Sequence, residues 1–421
     1  MTTANLRINQ DRLWRDVMML AEITEPGKPY TRRSFTPMFL QGRDWLKARF
    51  EAAGLDARID AGGNLIGRRT GAKRDVGAIV VGSHSDTVPS GGRFDGTVGV
   101  LAGLEVARAL QEAGHDLEHD LEIIDCLAEE VSAFGISCVG SRAIAGILTE
   151  EMLAYQGPGG ERLAQAIVRM GGNPQGLSHA KRSDITAFLE LHIEQGPVLE
   201  SEHIDVGIVE TIAGITRLEL TITGRADHAG TTPFSLRSDA LVAGARAILA
   251  IQRIAAEMAE ADEGYFVATT GEIHAEPNAA NVVPGRVRLI VDARAEKRPT
   301  MQRFVSRITG EMPALVVASG AELCSIATLS DVPPAHGDSG LCAVLMDAAE
   351  RLGLTHHRMT SGAGHDAAHF SRIAPAAMVF TPCRGGRSHC PEEWAEPGEI
   401  AAGAAIILNA VLAIDRIKPA R

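Results

Sequence analysis

Four stretches of this sequence carry side chains whose types and spacing suit metal-assisted hydrolysis. In GSHSDTVPSGGRFDGTVGV (82–100), an apolar run delivers His84, and a Gly/Pro/Ser-rich loop then delivers Asp95. His84 offers a neutral imidazole nitrogen to a metal. Asp86 lies two residues on, on the same side of an extended chain, and could hold the other ring nitrogen. Asp95 has two oxygens and could bridge two ions. In LEIIDCLAEEVSAFG (121–135), the adjacent Glu129 and Glu130 follow an apolar run. Neighbouring side chains on an extended chain point opposite ways, so one could ligate a metal while the other faces water. Hydrolysis needs that division: a Lewis acid lowers the pKa of water, and a nearby carboxylate takes its proton. FLELHIEQGPVLE (188–200) sets His192 in an apolar run, with Glu190 and Glu194 at the same alternation phase. TPCRGGRSHCPEEW (381–394) sets His389 in a Gly-rich loop.

Taken singly, each stretch also reads as plain structure: a capped loop, a solvated strand end, a core histidine, a loop histidine. Taken together, four expected strand ends deliver His, Asp, Glu-Glu, His and His in chain order. This mixture of ligands suits zinc, or manganese where oxygen donors dominate. Two ions sharing Asp95 would clamp a hydrolytic transition state. Cys383 and Cys390 flank the last loop, but no second Cys pair completes a Cys-rich zinc site.

The elements that must position these residues show in the hydrophobic pattern. GAIVVGSH (77–84), LEIIDCLA (121–128), TAFLELHIE (186–194) and AAMVFTP (376–382) are near-continuous apolar runs, as expected of central strands covered on both faces. Helical periodicity falls at 10–23, 37–53, 98–113 and 338–352. Strand, helix, strand in succession points to an α/β fold with a mixed, largely parallel sheet. The middle differs. TRLELTITG (216–224) and RVRLIVDAR (286–294) alternate polar and apolar residues, as strands with one wet face do. With helices at 237–261 and 298–311, they suggest a smaller α+β domain over 213–329, inserted into a domain made of 1–212 and 330–421. The Pro-rich DVPPAHG (331–337) marks the second break.

Composition narrows the class. The chain has 421 residues, 45% hydrophobic and 22% charged, with a formal charge of -12. An acidic chain of this kind repels phosphates, which argues against nucleic-acid or anionic-membrane partners. MTTANLRINQDRLWRD is charged from the start and lacks the apolar stretch of a signal peptide. No uninterrupted apolar run approaches the roughly 18 residues of a membrane span. The six cysteines (Cys126, Cys138, Cys324, Cys342, Cys383, Cys390) form no regular framework, as expected of free thiols in a reducing cytoplasm.

HSDTVPSGGRFDG, AEEVSAFG, ELHIEQGP, GRADHAGTTP, PNAANVVPG, SGAGHDA and GRSHCPEEW occur in this order. In them the chain resembles the amidase/hydantoinase–carbamoylase branch of the zinc-exopeptidase-like metallohydrolases. That branch contains N-carbamoyl-L-amino acid hydrolases, allantoate amidohydrolases and β-ureidopropionases. The resemblance runs from INQDRLW (8–14) to the last helix. It implies a zinc-exopeptidase-like catalytic domain with an inserted lid, two divalent ions per chain, a homodimer formed through the lid, and cleavage of a ureido or carbamoyl amide. His84, Asp95 and His192 match the ligands of one ion, with Asp95 shared; Glu130 and His389 match those of the other. Glu129 matches the general base. His228 matches a residue that reaches the partner subunit's site and polarises the scissile carbonyl. Asn281 and Arg294 match groups that hold a substrate carboxylate, a role suited to the bidentate guanidinium. Gln195 and His365 match further substrate contacts.

The chain also departs from the branch. Val131 and Ala133 replace the Gly and Arg of EEGSRFG, Ser85 stands for Leu, Cys390 for Ser and Ile215 for Gln. No ligand or base is lost, so the departures bear on the substrate rather than on hydrolysis. A deacylase or dipeptidase using the same metals is the competing expectation, and a binding protein that kept the fold is a third. An unligated Glu129 beside a full ligand set argues against the last.

Overall fold

The computed structural model describes residues 6–261 and 264–416. They fall into two compact units. One takes the chain up to Glu210, with His336–Met359 and the chain from Gly364 onward; the other is Thr211–Ala335 with Thr360–Ala363.

The first unit is built on the centre of a nine-stranded sheet. Asp120–Cys126, Ala78–His84, Ile185–Ile193 and Ala376–Thr381 lie side by side in that order, all parallel. Leu65–Arg69 extends one side antiparallel, and Val206–Ile212 extends the other antiparallel. The sheet is therefore mixed, and the four central strands carry the parallel pairing that the apolar runs led one to expect. Their side chains are almost wholly buried, because helices cover both faces. The helix Thr97–Glu112 buries all but a few of its residues, and Val81, Ile123, Leu189, Val379 and Leu104 share one core.

The helix Pro397–Asp415 is long and apolar enough to cross a membrane. It carries Glu399 and Asn409, and it buries Ile400, Ile407 and Val411 in the same core. Core packing thus accounts for its hydrophobicity.

The second unit holds a four-stranded antiparallel sheet in the order Glu322–Val332, Gly214–Thr223, Arg286–Ala295, Phe266–Glu276. Its alternating residues Leu218, Leu220, Ile222, Val287, Leu289 and Val291 bury one face in a core shared with the helices Ala240–Glu260 and Arg298–Ala318. The first helix starts later than position 237, because Asp239 caps it by accepting the N–H groups of Leu241 and Val242. The second passes through Pro313 to Ala318, past the expected stop at 311. Buried Met312 and Val316 hold its last turns. A small ribbon pairs Asp227–His228 with Val282–Val283.

Candidate metal centre

Parallel register brings the carboxyl ends of the central strands to one edge. His84 ends its strand and pairs with Cys126; His192 pairs with Phe380 near the end of its own. Three residues past Cys126 comes Glu129, and eight past Thr381 comes His389. Ligand sites of open α/β sheets sit at this edge. Gly96, between Asp95 and the helix Thr97–Glu112, has φ 62°, and a Cβ there would lie 2.3 Å from His84 Nε2. Only glycine lets the loop pass so close to the ring.

Asp95 stands at the centre. Its Oδ1 lies 3.1 Å from His192 Nε2 and 3.7 Å from His84 Nε2; its Oδ2 lies 3.0 Å from His389 Nε2. His389 Nε2 is also 3.1 Å from Glu130 Oε1. Two groups result, His84–Asp95–His192 and Asp95–Glu130–His389, each with donor atoms within 4.8 Å of one another. One carboxylate thus serves both groups, one oxygen to each.

The donor set fits divalent ions. His84 sets Nδ1 3.0 Å from Asp86 O, and His192 sets Nδ1 2.8 Å from Ile193 O. Each Nδ1 faces a carbonyl to which it can donate, which leaves each Nε2, on the Asp95 side of the ring, to offer its lone pair to an ion. The surroundings draw positive charge. Asp95 and then Glu130, as acceptors, push the His389 imidazole up to about 11. Burial opposes the charge of Asp95, yet His192 and His389 hold its carboxyl well below the usual range.

Asp86 faces His84 Nδ1 with both its carbonyl and its carboxylate. The carbonyl of Asp86, not its carboxylate, makes the shorter contact with His84 Nδ1; the carboxylate stands 3.5 Å away. Asp86 Oδ1 also accepts the Glu129 N–H at 3.2 Å, which ties the strand-end loop of the glutamates to that of His84.

The two glutamates diverge. Glu130 faces His389, whereas Glu129 Oε2 lies 3.7 Å from His84 Nε2 and belongs to neither donor group. Ala128, just before them, has φ 54°, so the chain is not extended there and a turn sets the divergence. Burial pushes the Glu129 carboxyl well above the usual range. The Cys138 thiol sits 3.4 Å from Glu129 Oε1 and donates to it.

Gln195 and His365 join the cluster. Gln195 Nε2 donates to Asp95 Oδ2 at 3.0 Å. His365 is buried edge-on to His192, with ring centroids 4.6 Å apart. Burial, then the charge of His192, keeps it neutral. Glu190, His192 and His365 form a third possible group, but Glu190 already accepts the Ser83 hydroxyl at 2.6 Å and the Ala367 N–H at 3.0 Å. Glu194 accepts the N–H groups of Val198 and Leu199 at 2.9 Å, so it caps a short helix.

The remaining candidates lie in the second unit. His228 is exposed on the small ribbon, its Nδ1 accepting the Gly230 N–H at 3.1 Å. Asn281 is exposed, and its carbonyl accepts the Ala229 N–H at 2.9 Å. Arg294 donates Nε to Asp292 at 2.8 Å and Nη1 to Gly362 O at 2.6 Å, which fixes its guanidinium. Sequence reasoning missed Cys138 and Glu393. Cys138 carried no spacing signal; Glu393 was visible only as part of a PEE run.

Residues 80–413 match the family model described as Peptidase family M20/M25/M40. The chain belongs to that family. It is 37% identical over 409 residues to the N-carbamoyl-L-amino-acid amidohydrolase of Paenarthrobacter aurescens, covering 96% of this chain and 98% of the other. It is 35% identical over 374 residues to the allantoate amidohydrolase of Bacillus subtilis, covering 89% and 90%. Among solved structures, it is similar to a hydantoinase/carbamoylase family amidase from Burkholderia multivorans. There the TM-score is 0.89 at 34% identity, over 97% of this chain and 98% of that one.

Proposed function

We propose that this M20-family chain is a two-metal amidohydrolase. Its substrate is an N-carbamoyl (ureido) amino acid or an allantoate-like molecule, whose C–N bond is cleaved with Glu129 as general base. The observation that carries this reading is the single Asp95 carboxylate divided between two donor groups, with Glu129 left out of both. Zinc or manganese held there would supply Lewis acidity, lowering the pKa of water and polarising the substrate carbonyl.

The chain's own residues do the rest. Glu129 takes the proton of the attacking water at its carboxylate and passes it to the leaving nitrogen as the C–N bond breaks. Burial raises its pKa toward the range where a carboxylate can both accept and release a proton. Asp86 fixes the backbone of Glu129, and Cys138 fixes its carboxylate. Gln195 orients Asp95 and presents its amide beside the donors.

We extend the proposal to a homodimer in which His228 acts in trans, and to Asn281 and Arg294 as the groups that receive the substrate carboxylate. Free thiols at all six cysteines suit a cytoplasmic setting. The test is ammonia release from N-carbamoyl-L-amino acids, allantoate and 3-ureidopropionate, with N-acetyl amino acids and dipeptides as controls. Turnover of a ureido substrate is expected. Turnover of the controls alone would replace this reading with a deacylase or dipeptidase.

A further inference from the structure

Glu393 belongs to neither donor group, yet it holds the backbone of one ligand loop and a side chain of the other. Its carboxylate is fully buried. Oε1 accepts the N–H groups of Phe94 at 2.7 Å and Asp95 at 3.2 Å; Oε2 accepts the Ser388 hydroxyl at 2.6 Å. Ser388 directly precedes His389 and lies 3.5 Å from Asp95 Oδ2. The Glu393 N–H donates to Cys390 O at 3.1 Å, closing the His389 loop on itself.

That loop needs closing. His389 has φ 56°, a left-handed backbone that a non-glycine residue keeps only where its surroundings over-determine it. The opposite loop is shaped to receive the carboxylate: a Cβ on Gly92 would lie 1.8 Å from Glu393 Oε1 and 1.9 Å from its Cδ. Glycine at 92 is what lets Glu393 reach the Phe94 and Asp95 amides.

We infer that Glu393 is the positioning residue that locks the Asp95 loop to the His389 loop, so that the shared carboxylate and the second histidine are set before any ion arrives. The inference rests on the two-metal reading above. A ligand shell already in place binds without the cost of ordering it, and partners of this kind are worth about 10–100-fold in metal affinity.

The test titrates chelator-treated protein with zinc or manganese alone, by calorimetry and metal analysis, after circular dichroism has confirmed the fold. Glu393→Ala should bind both ions about 10–100-fold more weakly. Glu393→Gln, which keeps an acceptor for the amides and a polar group for Ser388, should recover part of the loss. Gly92→Ala should weaken binding through the clash. Gly92→Ala combined with Glu393→Ala should be no weaker than Glu393→Ala alone, because the clash then has no partner.

Wild-type affinity in folded Glu393→Ala would overturn the inference, as would losses from the two single variants that simply add. If Glu393→Ala does not fold, unchanged affinity in both Glu393→Gln and Gly92→Ala overturns it. A wild-type chain that binds no metal refutes the two-metal reading itself; one that binds two, with unaffected variants, refutes only the role of Glu393.

Discussion

Replacing Glu129 with Gln changes one atom and separates the base from the ligands. The side chain keeps its length and its buried place beside His84 and Cys138. An amide cannot accept the proton of water, so the chemical step loses general-base catalysis. Such assistance is typically worth about 100–10,000-fold in rate, or roughly 3–5 kcal/mol of barrier. Glu129 lies outside both donor groups, so metal content should not change. Glu130→Gln should behave oppositely, because Glu130 Oε1 faces His389 Nε2 at 3.1 Å. It should lose affinity for one ion, with activity returning when metal is in excess. The assay pairs ammonia-release kinetics with metal analysis on both variants. Metal loss in Glu129→Gln, with full occupancy and dead chemistry in Glu130→Gln, would show that the two glutamates have been assigned the wrong way round.

Three further outcomes follow from other parts of the molecule. Arg43 and Asp125 form a buried pair at 2.9 Å, both almost wholly enclosed. Arg43→Ala leaves an unpaired buried carboxylate and should cost about 3–5 kcal/mol by chemical denaturation, with Asp125→Asn recovering part; a loss under about 1 kcal/mol would refute it. Burial, with Arg142 and Arg372 adding to it, holds the His369 imidazole down at about 3, and its Nδ1 has no hydrogen-bond partner among the described residues. Its folded pKa lies below the unfolded value of 6.5. Its stabilising contribution is therefore complete above pH 6.5 and is lost as pH falls from there toward 3. Between pH 7 and pH 5, wild type should lose about 2 kcal/mol more than His369→Gln, and equal losses would contradict this. Mixing inactive His228→Ala with inactive Glu129→Gln under subunit exchange should restore partial activity. Exchange verified by mass without recovery would rule out action in trans.

Much of the centre was legible because its donors sit at the ends of strands with strong apolar runs. The runs ending at His84 and Cys126, and those through His192 and Phe380, correspond to the four parallel strands. Parallel pairing then places their carboxyl ends together. The edge strands were harder to see. Phe266–Glu276 and Glu322–Val332 expose most of their residues, so ATTGEIHAE and its counterpart show little apolar alternation. Pro313 reads as a helix stop, but packing of Met312 and Val316 carries the helix past it. Asp86 had the right spacing to face His84 Nδ1, but nothing in the spacing showed that its carbonyl would make the shorter contact or that its carboxylate would also take the Glu129 amide. Glu393 bonds to amides almost 300 residues away in sequence, a contact that no local pattern encodes.

The most direct test follows one preparation through three states: as purified, after verified metal removal, and after return of zinc or manganese. Ammonia release from an N-carbamoyl-L-amino acid or allantoate should be present in the first, abolished in the second and regained in the third, with up to two ions bound per chain. Full turnover by the metal-free protein would contradict a hydrolysis built on Asp95 and its two donor groups.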